Sequence, residues 1–421
     1  MKGAGDAISA AYSANVPNCR SDLWSRFVPN NRLVRRPRHD VAERPFIVIW
    51  EATRACPLAC AHCRAEAQTA RHPGELGTAD ARAVMDQIAA FGRPSPLFVI
   101  TGGDPFQRPD LNELVRYGTG LGLRVAVSPS GTPTLTRDRL AAVRDAGAIA
   151  LSLSLDGSTA ALHDSFRGVP GVYGWTLDAW RTARELGLKV QINTTVTRHN
   201  LTDLADVVRL VRDEGAMLWS AFLLVPTGRG QQLAALCATE VEDVLNFVHD
   251  AGAVIAAKTT EGHHFRRVAL QRAVLDTLGE DPAATLGLGG LYRLLTDRAA
   301  ELGLDAGRVR RPPMDVGSGR GFVFISHTGT VHPSGFLPLD AGNVKDRPLT
   351  EIYRTSALFT ALRDPARLGG ACGACEFRTV CGGSRSRAYG ITGDPLAADP
   401  WCSYRPGSFP HQDRLAELLP T

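Results

Sequence analysis

From residue 45 onward the chain alternates short apolar, β-branched runs with longer stretches whose apolar positions recur every three or four residues. The first pattern predicts buried strands and the second amphipathic helices. Six strands are predicted, over 46–51 (FIVIWE), 97–101 (LFVIT), 124–128 (RVAVS), 148–155 (AIALSLSL), 190–196 (VQINTTV) and 218–225 (LWSAFLLV). Between them the helical period runs over 78–91, 111–121, 137–146, 175–186 and 204–214, with Gly, Pro, Asp or Ser at the boundaries. Near-continuous apolar strands joined by helical crossovers make a parallel sheet covered on both faces. The fold class is therefore α/β, as a partial six-unit barrel or an open doubly wound sheet. In either arrangement ligands gather at the C-terminal ends of the strands.

The pattern changes after residue 230. The segment 231–320 is helical (EVEDVLNFVHDAGAV, VALQRAVLDTLG), ends in the glycine-rich DVGSGRG, and reads as a bridge. After it, FVFISHTGTVHPSG predicts a hairpin, and from Leu368 the chain becomes a loop structure rich in Gly, Cys and Pro. Such a tail builds little core unaided, and small metal domains use the metal as their core. The expected division is an N-terminal extension over 1–44, a barrel over 45–230, a helical bridge over 231–320 and a metal-bearing domain over 321–421. The glycine-rich LGLGGL over 286–291 follows no strand, which argues against a dinucleotide site there.

Composition narrows this only modestly. The chain has 421 residues, 44% hydrophobic and 21% charged, which excludes a disordered chain, a collagen and a small disulfide scaffold. No apolar run approaches the roughly 20 residues that cross a bilayer, and the N-terminus lacks a secretory stretch. A cytoplasmic protein without a membrane partner is expected. Net charge is +4, and of the 47 basic residues only Lys2, Lys189, Lys258 and Lys345 are lysines. The densest basic stretches, Arg32, Arg35, Arg36 and Arg38, then Arg310 and Arg311, are not interleaved with aromatics. They read as solvated faces, with binding of an acidic substrate as the alternative and no nucleic acid as partner.

The cysteines carry the chemistry. In a reducing compartment clustered thiols bind metal or react more often than they form disulfides. Of nine, Cys56, Cys60 and Cys63 form one group, Cys372, Cys375, Cys381 and Cys402 another, and Cys19 and Cys237 stand alone as bystanders. The first group, C-x3-C-x2-C, follows the first strand directly. Three thiolates within eight residues suit one iron-sulfur cluster, and the next position where a fourth might stand is Ala67. One iron then lacks a protein ligand, and an open coordination position is what chemistry at a metal requires. The competing ligand set is zinc with His62, but the adjacent residues His62 and Cys63 seldom both point at one metal.

This CxxxCxxC after the first strand of a six-unit β/α chain resembles the radical S-adenosylmethionine (SAM) superfamily over about residues 42–230. Further matches follow in order, each at a strand's C-terminal end. Gly102, Gly103, Asp104 and Pro105 are similar to the family's GGEP, with Asp for Glu. Ser128 and Ser130 resemble its TNG-like position. Ser152 and Asp156 in SLSLDG, then His163-Asp164 and Arg167-Gly168, resemble the SLDG, HD and RG run of members bearing extra clusters. Asn193 on the fifth strand and Val225 to Arg229 after the sixth also fit, and His62 takes the aromatic position that packs on adenine. The resemblance implies that SAM's amino and carboxylate groups chelate the open iron of a [4Fe-4S] cluster. An electron from that cluster then cleaves SAM to a 5′-deoxyadenosyl radical. It also implies a flavodoxin- or ferredoxin-type electron donor as partner.

The second group, C-x2-C-x5-C with Cys402 beyond, gives four thiolates, which close a site; ligand type alone leaves zinc and a [4Fe-4S] cluster both open. Beside a radical SAM core it resembles the SPASM extension, which carries up to two auxiliary clusters. Three ligand positions of that pattern are lost here. They fall on Ser318, on Ser334 after Gly329, and on Arg385. The resemblance thus implies a partial (β/α)6 TIM-like barrel with a C-terminal iron-sulfur SPASM-like domain. It would hold two [4Fe-4S] clusters in all, one on SAM and one auxiliary, fully ligated and either electron-carrying or structural.

The tail and the segment VHPSGFLPLDAGNV resemble a branch that includes the radical decarboxylase of alternative haem biosynthesis, which acts on the propionates of iron-coproporphyrin. Arg229, Arg266 and Arg267 are candidates to hold carboxylates by bidentate pairing, and His263 or His264 to ligate haem iron; the bland reading is capping or surface polarity. Net oxidation of a small metabolite by hydrogen abstraction is expected, through decarboxylation, dehydrogenation or bond formation. The second reading is a maturase of a ribosomally made peptide, for whose precursor-binding domain residues 1–44 look too short. A structural zinc protein is the non-enzyme alternative.

Overall fold

The computed structural model describes residues 33–419, so Cys19 and Arg32 lie outside the described residues. Six strands run in order and in parallel: β1 (Ile47–Glu51), β2 (Leu97–Thr101), β3 (Arg124–Val127), β4 (Ala150–Ser154), β5 (Lys189–Val196) and β6 (Leu218–Leu223). Each falls on a predicted run, with the ends moved by no more than two residues. Helices α1 (Thr78–Ala89), α2 (Leu111–Gly120), α3 (Arg137–Asp145), α4 (Ala160–Arg167), α5 (Val172–Glu185) and α6 (Leu204–Asp213) fill the crossovers.

Alternation explains which face of the sheet does what. Val48, Trp50, Phe98, Ile100, Leu151, Leu153, Val190 and Ile192 are buried and pack with Val84, Met85 and Ile88 of α1, Trp180 of α5 and Val207 and Val208 of α6 in one core. Their neighbours in sequence, including Ile49, Ser152, Ser154, Gln191, Asn193 and Thr195, are only half-buried and turn to the opposite, concave face. On β4 and β5 that face carries small and polar side chains, so it is a lumen rather than a second core. The exclusion of water from the other face is what fixes the register.

Several elements were not foreseen: α4 and a seventh strand before residue 320, and after it the short helices over 349–363 and within the stretch from Leu368 that reads as loop. Helix α4 is only eight residues of mixed polarity, yet Thr159 caps its start by accepting from Leu162 N at 3.4 Å, and Gly168, at φ 73°, ends it. Strand β7 (Ala257–Thr260) arises inside the stretch read as a helical bridge. Its sequence, AKTT, lacks an apolar alternation, and pairing with β6 makes it a strand. The remainder of that stretch forms α7 (Ala238–Ala251), α8 (Phe265–Leu278), α9 (Pro282–Thr285) and α10 (Gly290–Glu301).

The C-terminal region joins the same sheet. A short β8 (Gly317–Ser318) and β9 (Gly321–Ile325) pair in parallel; β9 then pairs in parallel with β1, and β10 (Val331–His332) returns antiparallel beside it, completing the expected hairpin. Helices α11 (Leu349–Thr355) and α12 (Ala357–Arg363) bury Tyr353 and Phe359 in the main core. A smaller core joins Leu270 and Leu275 of α8 to Phe377, Val380, Phe409 and Leu415, in a region that holds α13 (Gly370–Ala374), α14 (Arg385–Thr392) and α15 (Gln412–Leu418). Among the described residues no helix is long and apolar enough to cross a membrane.

Candidate functional site

The loop after β1 carries Cys56, Cys60 and Cys63, and the loops after β2 and β6 and the end of α4 grip it. After β2, Gly103 N donates to Thr53 O at 2.7 Å and Asp104 N to Ala55 O at 2.8 Å. A Cβ on Gly102 would sit 2.4 Å from Thr53 O, and one on Gly103 2.5 Å from Ala55 O, so only glycine lets the two backbones meet. At the end of α4, Phe166 O and Arg167 O accept from Ala61 N and Ala59 N. After β6, Arg229 N donates to Cys63 O at 3.1 Å, and Gly228, at φ 53°, presses on the same carbonyl.

Held in this way, the three thiols join one small cluster with Leu58, Val172 and Trp175. Each sulfur faces polar groups. Leu58 N reaches Cys56 Sγ at 3.4 Å, Ala67 N reaches Cys63 Sγ at 3.5 Å, and Arg167 Nη1 reaches Cys60 Sγ at 3.6 Å. Burial pushes the Cys56 thiol up to about 11, while these donors favour thiolates that a bound metal would stabilise. The His62 ring stacks on Phe166 at 4.7 Å and 5°, and Phe166 in turn stacks on His199. Burial pushes His62 down to about 4. Among the described residues no three His, Cys, Asp or Glu side chains close on a point as a single ion requires. Three thiols, Ala67 in place of a fourth and donors around the sulfurs fit a cluster with one open iron.

The other expected SAM residues ring this loop. Asp104 is buried; its carboxylate accepts from Phe106 N, Gln107 Nε2 and Ser130 N, at 3.1, 3.0 and 3.4 Å, and burial raises its pKa. Pro105 opens a short 3-10 turn behind it. Ser130 donates to Gly103 O at 2.8 Å and lies 3.4 Å from Cys56 Sγ. Ser128 donates to Ser152 O, and Asn193 donates to Ser152 Oγ at 3.4 Å, so three neighbouring strands present one polar row to the lumen. Val225 is buried, and its carbonyl turns the β6 loop by accepting from Thr227 N. Asp156 is fully buried and pairs with Arg167, which spans from this carboxylate to Cys60. Burial opposes the charge on Asp156, but Arg167, His62, His163 and the Thr195 N–H together outweigh it and hold the carboxyl below its ordinary range.

Sequence reasoning missed a further constellation at the same end. Glu51 closes β1, 3.3 Å from Arg64 and 3.0 Å from His327 Nδ1, and Arg64 lies over the Phe324 ring. A glutamate ending an otherwise apolar strand is the signal that could have found it.

The second cysteine group gathers as expected from its spacing. Cys372, Cys375, Cys381 and Cys402 all line one small cavity with His264, Arg267 and Asp399. Burial pushes Cys375 and Cys381 up to about 12, and Arg385 Nη2 and Asp399 N both reach Cys372 Sγ, at 3.6 and 3.4 Å. Four thiols lining one cavity are the number that suits a closed site. Two of the three positions of the lost ligands carry hydroxyls, and the third is Arg385. Ser318 meets Ser386 at 3.1 Å, and Ser386, Ser334 and Ser384 donate to the buried Glu261 carboxylate at 2.9, 3.1 and 2.5 Å. Glu261 itself takes φ 54°, a left-handed conformation that this network holds. Cys237 is exposed and caps α7, away from both groups.

Two expectations for substrate binding need correction. Arg266 spends its donors on the carbonyls of Met314, Val316 and Val380, and Arg267 on Glu242 and Gln271. Both are scaffold ties, because α8 is buried nearly all round and a buried guanidinium must find acceptors in the protein. His264 lies 3.1 Å from Asp399 and lines the cysteine cavity. Arg229 differs, for its Nε and Nη2 are buried without a partner beside the first cysteine loop.

The Radical SAM superfamily profile matches residues 50–211. An AdoMet-dependent heme synthase of Oleidesulfovibrio alaskensis is 42% identical over 372 residues, covering 87% of this chain and 89% of that protein. A PqqA peptide cyclase of Rhodopseudomonas palustris is 30% identical over 369 residues, covering 86% and 88%. The solved structure of anSMEcpe with bound AdoMet superposes with a TM-score of 0.60 at 16% identity, covering 88% of this chain and 96% of that one, which establishes a common fold. The chain belongs to the radical SAM superfamily, in the branch whose named members include AdoMet-dependent heme synthases.

Proposed function

We propose that this radical SAM enzyme oxidises a carboxylate-bearing tetrapyrrole, removing propionate carboxyl groups. The observation that carries the reading is the 42% identity, along nearly the whole chain, to a protein named a heme synthase, against 30% to a named peptide cyclase. When bound, SAM and the first cluster supply a radical able to take a hydrogen atom from an unactivated carbon. The chain's part is positional. Cys56, Cys60 and Cys63 hold the cluster; Arg167 fixes the Cys60 sulfur from the side of Asp156. Gly102, Gly103, Asp104, Pro105, Ser128, Ser130, Ser152, Asn193 and Val225 shape the SAM cradle, with His62 against the adenine side. The partnerless donors of Arg229 suit a substrate carboxylate.

The chemistry balances as follows. A propionate side chain loses one hydrogen atom, then one electron, and releases carbon dioxide to leave a vinyl group. That electron needs an acceptor, and a second [4Fe-4S] cluster on Cys372, Cys375, Cys381 and Cys402, closed to substrate by its four thiolates, suits the task.

The test is anaerobic turnover of iron-coproporphyrin III with SAM and a low-potential reductant, read by mass spectrometry. Vinyl products with deoxyadenosine are expected. Cys56→Ala should abolish deoxyadenosine, while Cys375→Ala should keep uncoupled SAM cleavage and lose vinyl product. Full deoxyadenosine release by Cys56→Ala would refute the cluster assignment. An untouched porphyrin beside a modified precursor peptide would transfer the enzyme to the peptide reading, and a colourless zinc protein lacking absorbance near ~400 nm would remove both.

A further inference from the structure

Behind the second cysteine group lies a cavity of ≈ 370 Å³, within the range of small-ligand pockets. None of its lining residues belongs to the loops that follow β1 to β6. One wall is the Cys381–Gly383 turn, and the others come from α8, β8, α12 and the chain near residue 36. Six arginines line it, Arg36, Arg266, Arg320, Arg363, Arg378 and Arg385, and among the described residues no Asp or Glu does.

Counter-charge is scarce. Arg36, Arg266 and Arg320 share the single buried carboxylate of Asp315, at 3.7, 3.4 and 2.8 Å. Arg363 donates to the carbonyls of Gly319, Ala42 and Tyr353, Arg378 to Gly373 O, and Arg385 to the carbonyls of Pro395 and Ala397, with the Cys372 sulfur at 3.6 Å as an anionic neighbour. Carbonyls orient guanidinium groups without neutralising them. Arg385 is 5% exposed, and its Nε is buried without a partner. Like charges gathered around a hollow repel one another, and an anion placed among them relieves that repulsion.

We propose that this cavity binds a small polyanion, a molecule bearing two or more carboxylate or phosphate groups, at a site distinct from the SAM end of the barrel. The concave shape decides for a small molecule over an acidic protein. Arg266 and Arg385 are recessed, and the flat face of a protein does not reach them. Nor do residues 1–32 complement the charge, since they carry Lys2, Arg20, Arg26 and Arg32 against Asp6 and Asp22. The inference is independent of the substrate assignment above.

Calorimetric titration of the anaerobic holoenzyme with pyrophosphate and, separately, with citrate tests it. Saturable one-to-one binding of at least one is expected, weakening roughly tenfold or more on raising salt from low to high ionic strength. Saturation by pyrophosphate alone assigns a phosphate ligand, and by citrate alone a carboxylate one. The exposed pair Arg36→Ala/Arg378→Ala should weaken binding roughly tenfold or more, with cluster absorbance and SAM binding unchanged. Failure of both anions to saturate, binding indifferent to the double variant, or competition only by an acidic redox protein would each overturn the proposal.

Discussion

At the scale of single residues, the decisive contacts concern groups taken out of water. Asp156 and Arg167 form a buried ion pair whose far side touches Cys60. Asp156→Asn leaves the guanidinium buried without its charge partner, and such a loss costs about 3–5 kcal/mol. Denaturant unfolding of the anaerobic protein should show that drop, and SAM cleavage should fall with it. Gly103→Ala acts by shape alone. Its Cβ would lie 2.5 Å from Ala55 O and 2.8 Å from Arg54 O, so the β2 loop must retreat from the cysteine loop. The expected outcome is weakened SAM binding with an unchanged far-ultraviolet spectrum. Both residues stand out in the sequence as parts of short motifs. That Arg167 reaches a cluster sulfur was not legible, because 107 residues separate it from Cys60.

At the scale of elements, α4 shows how a short helix earns its place. His163 Nδ1 accepts from Asp156 N at 2.9 Å, which requires a neutral ring, and burial pushes its pKa down to about 4 from an ordinary 6.5. As pH falls below the ordinary value, the unfolded chain takes up a proton that the folded one refuses. The stability is therefore whole above that value and is lost progressively towards pH 4, by at most roughly 3 kcal/mol. Thermal melts at neutral and mildly acidic pH should show the loss, and His163→Asn, which keeps an acceptor but does not titrate, should flatten it. The helix itself escaped sequence reading because its length and mixed polarity give almost no period. Strand β7 escaped for the related reason that AKTT is a strand only beside β6. The six longer strands were legible since burial of one face imposes alternation or a continuous apolar run.

At the scale of the whole molecule, the C-terminal region completes the barrel sheet. Through β9 it covers the edge of β1, the strand that leads into the catalytic cysteines, and Tyr353 OH accepts from Gly321 N at 3.1 Å to pin it. A chain ending at residue 320 would expose that edge and part of the main core. Such edges seed association, so size-exclusion chromatography should find the truncated chain aggregated. By itself the sequence determined the parallel α/β sheet, the three-plus-four grouping of thiols and the radical SAM motifs at strand ends. All of these rest on local periodicity or close spacing, which linear order preserves. Only the tertiary structure decided that β9 and β7 extend the sheet, that Ser334 bonds Glu261 and Ser318 reaches it through Ser386, that Arg266 and Arg267 serve the scaffold while Arg229 keeps free donors, and that six arginines face one hollow. These depend on which distant side chains share a buried volume, and packing settles that.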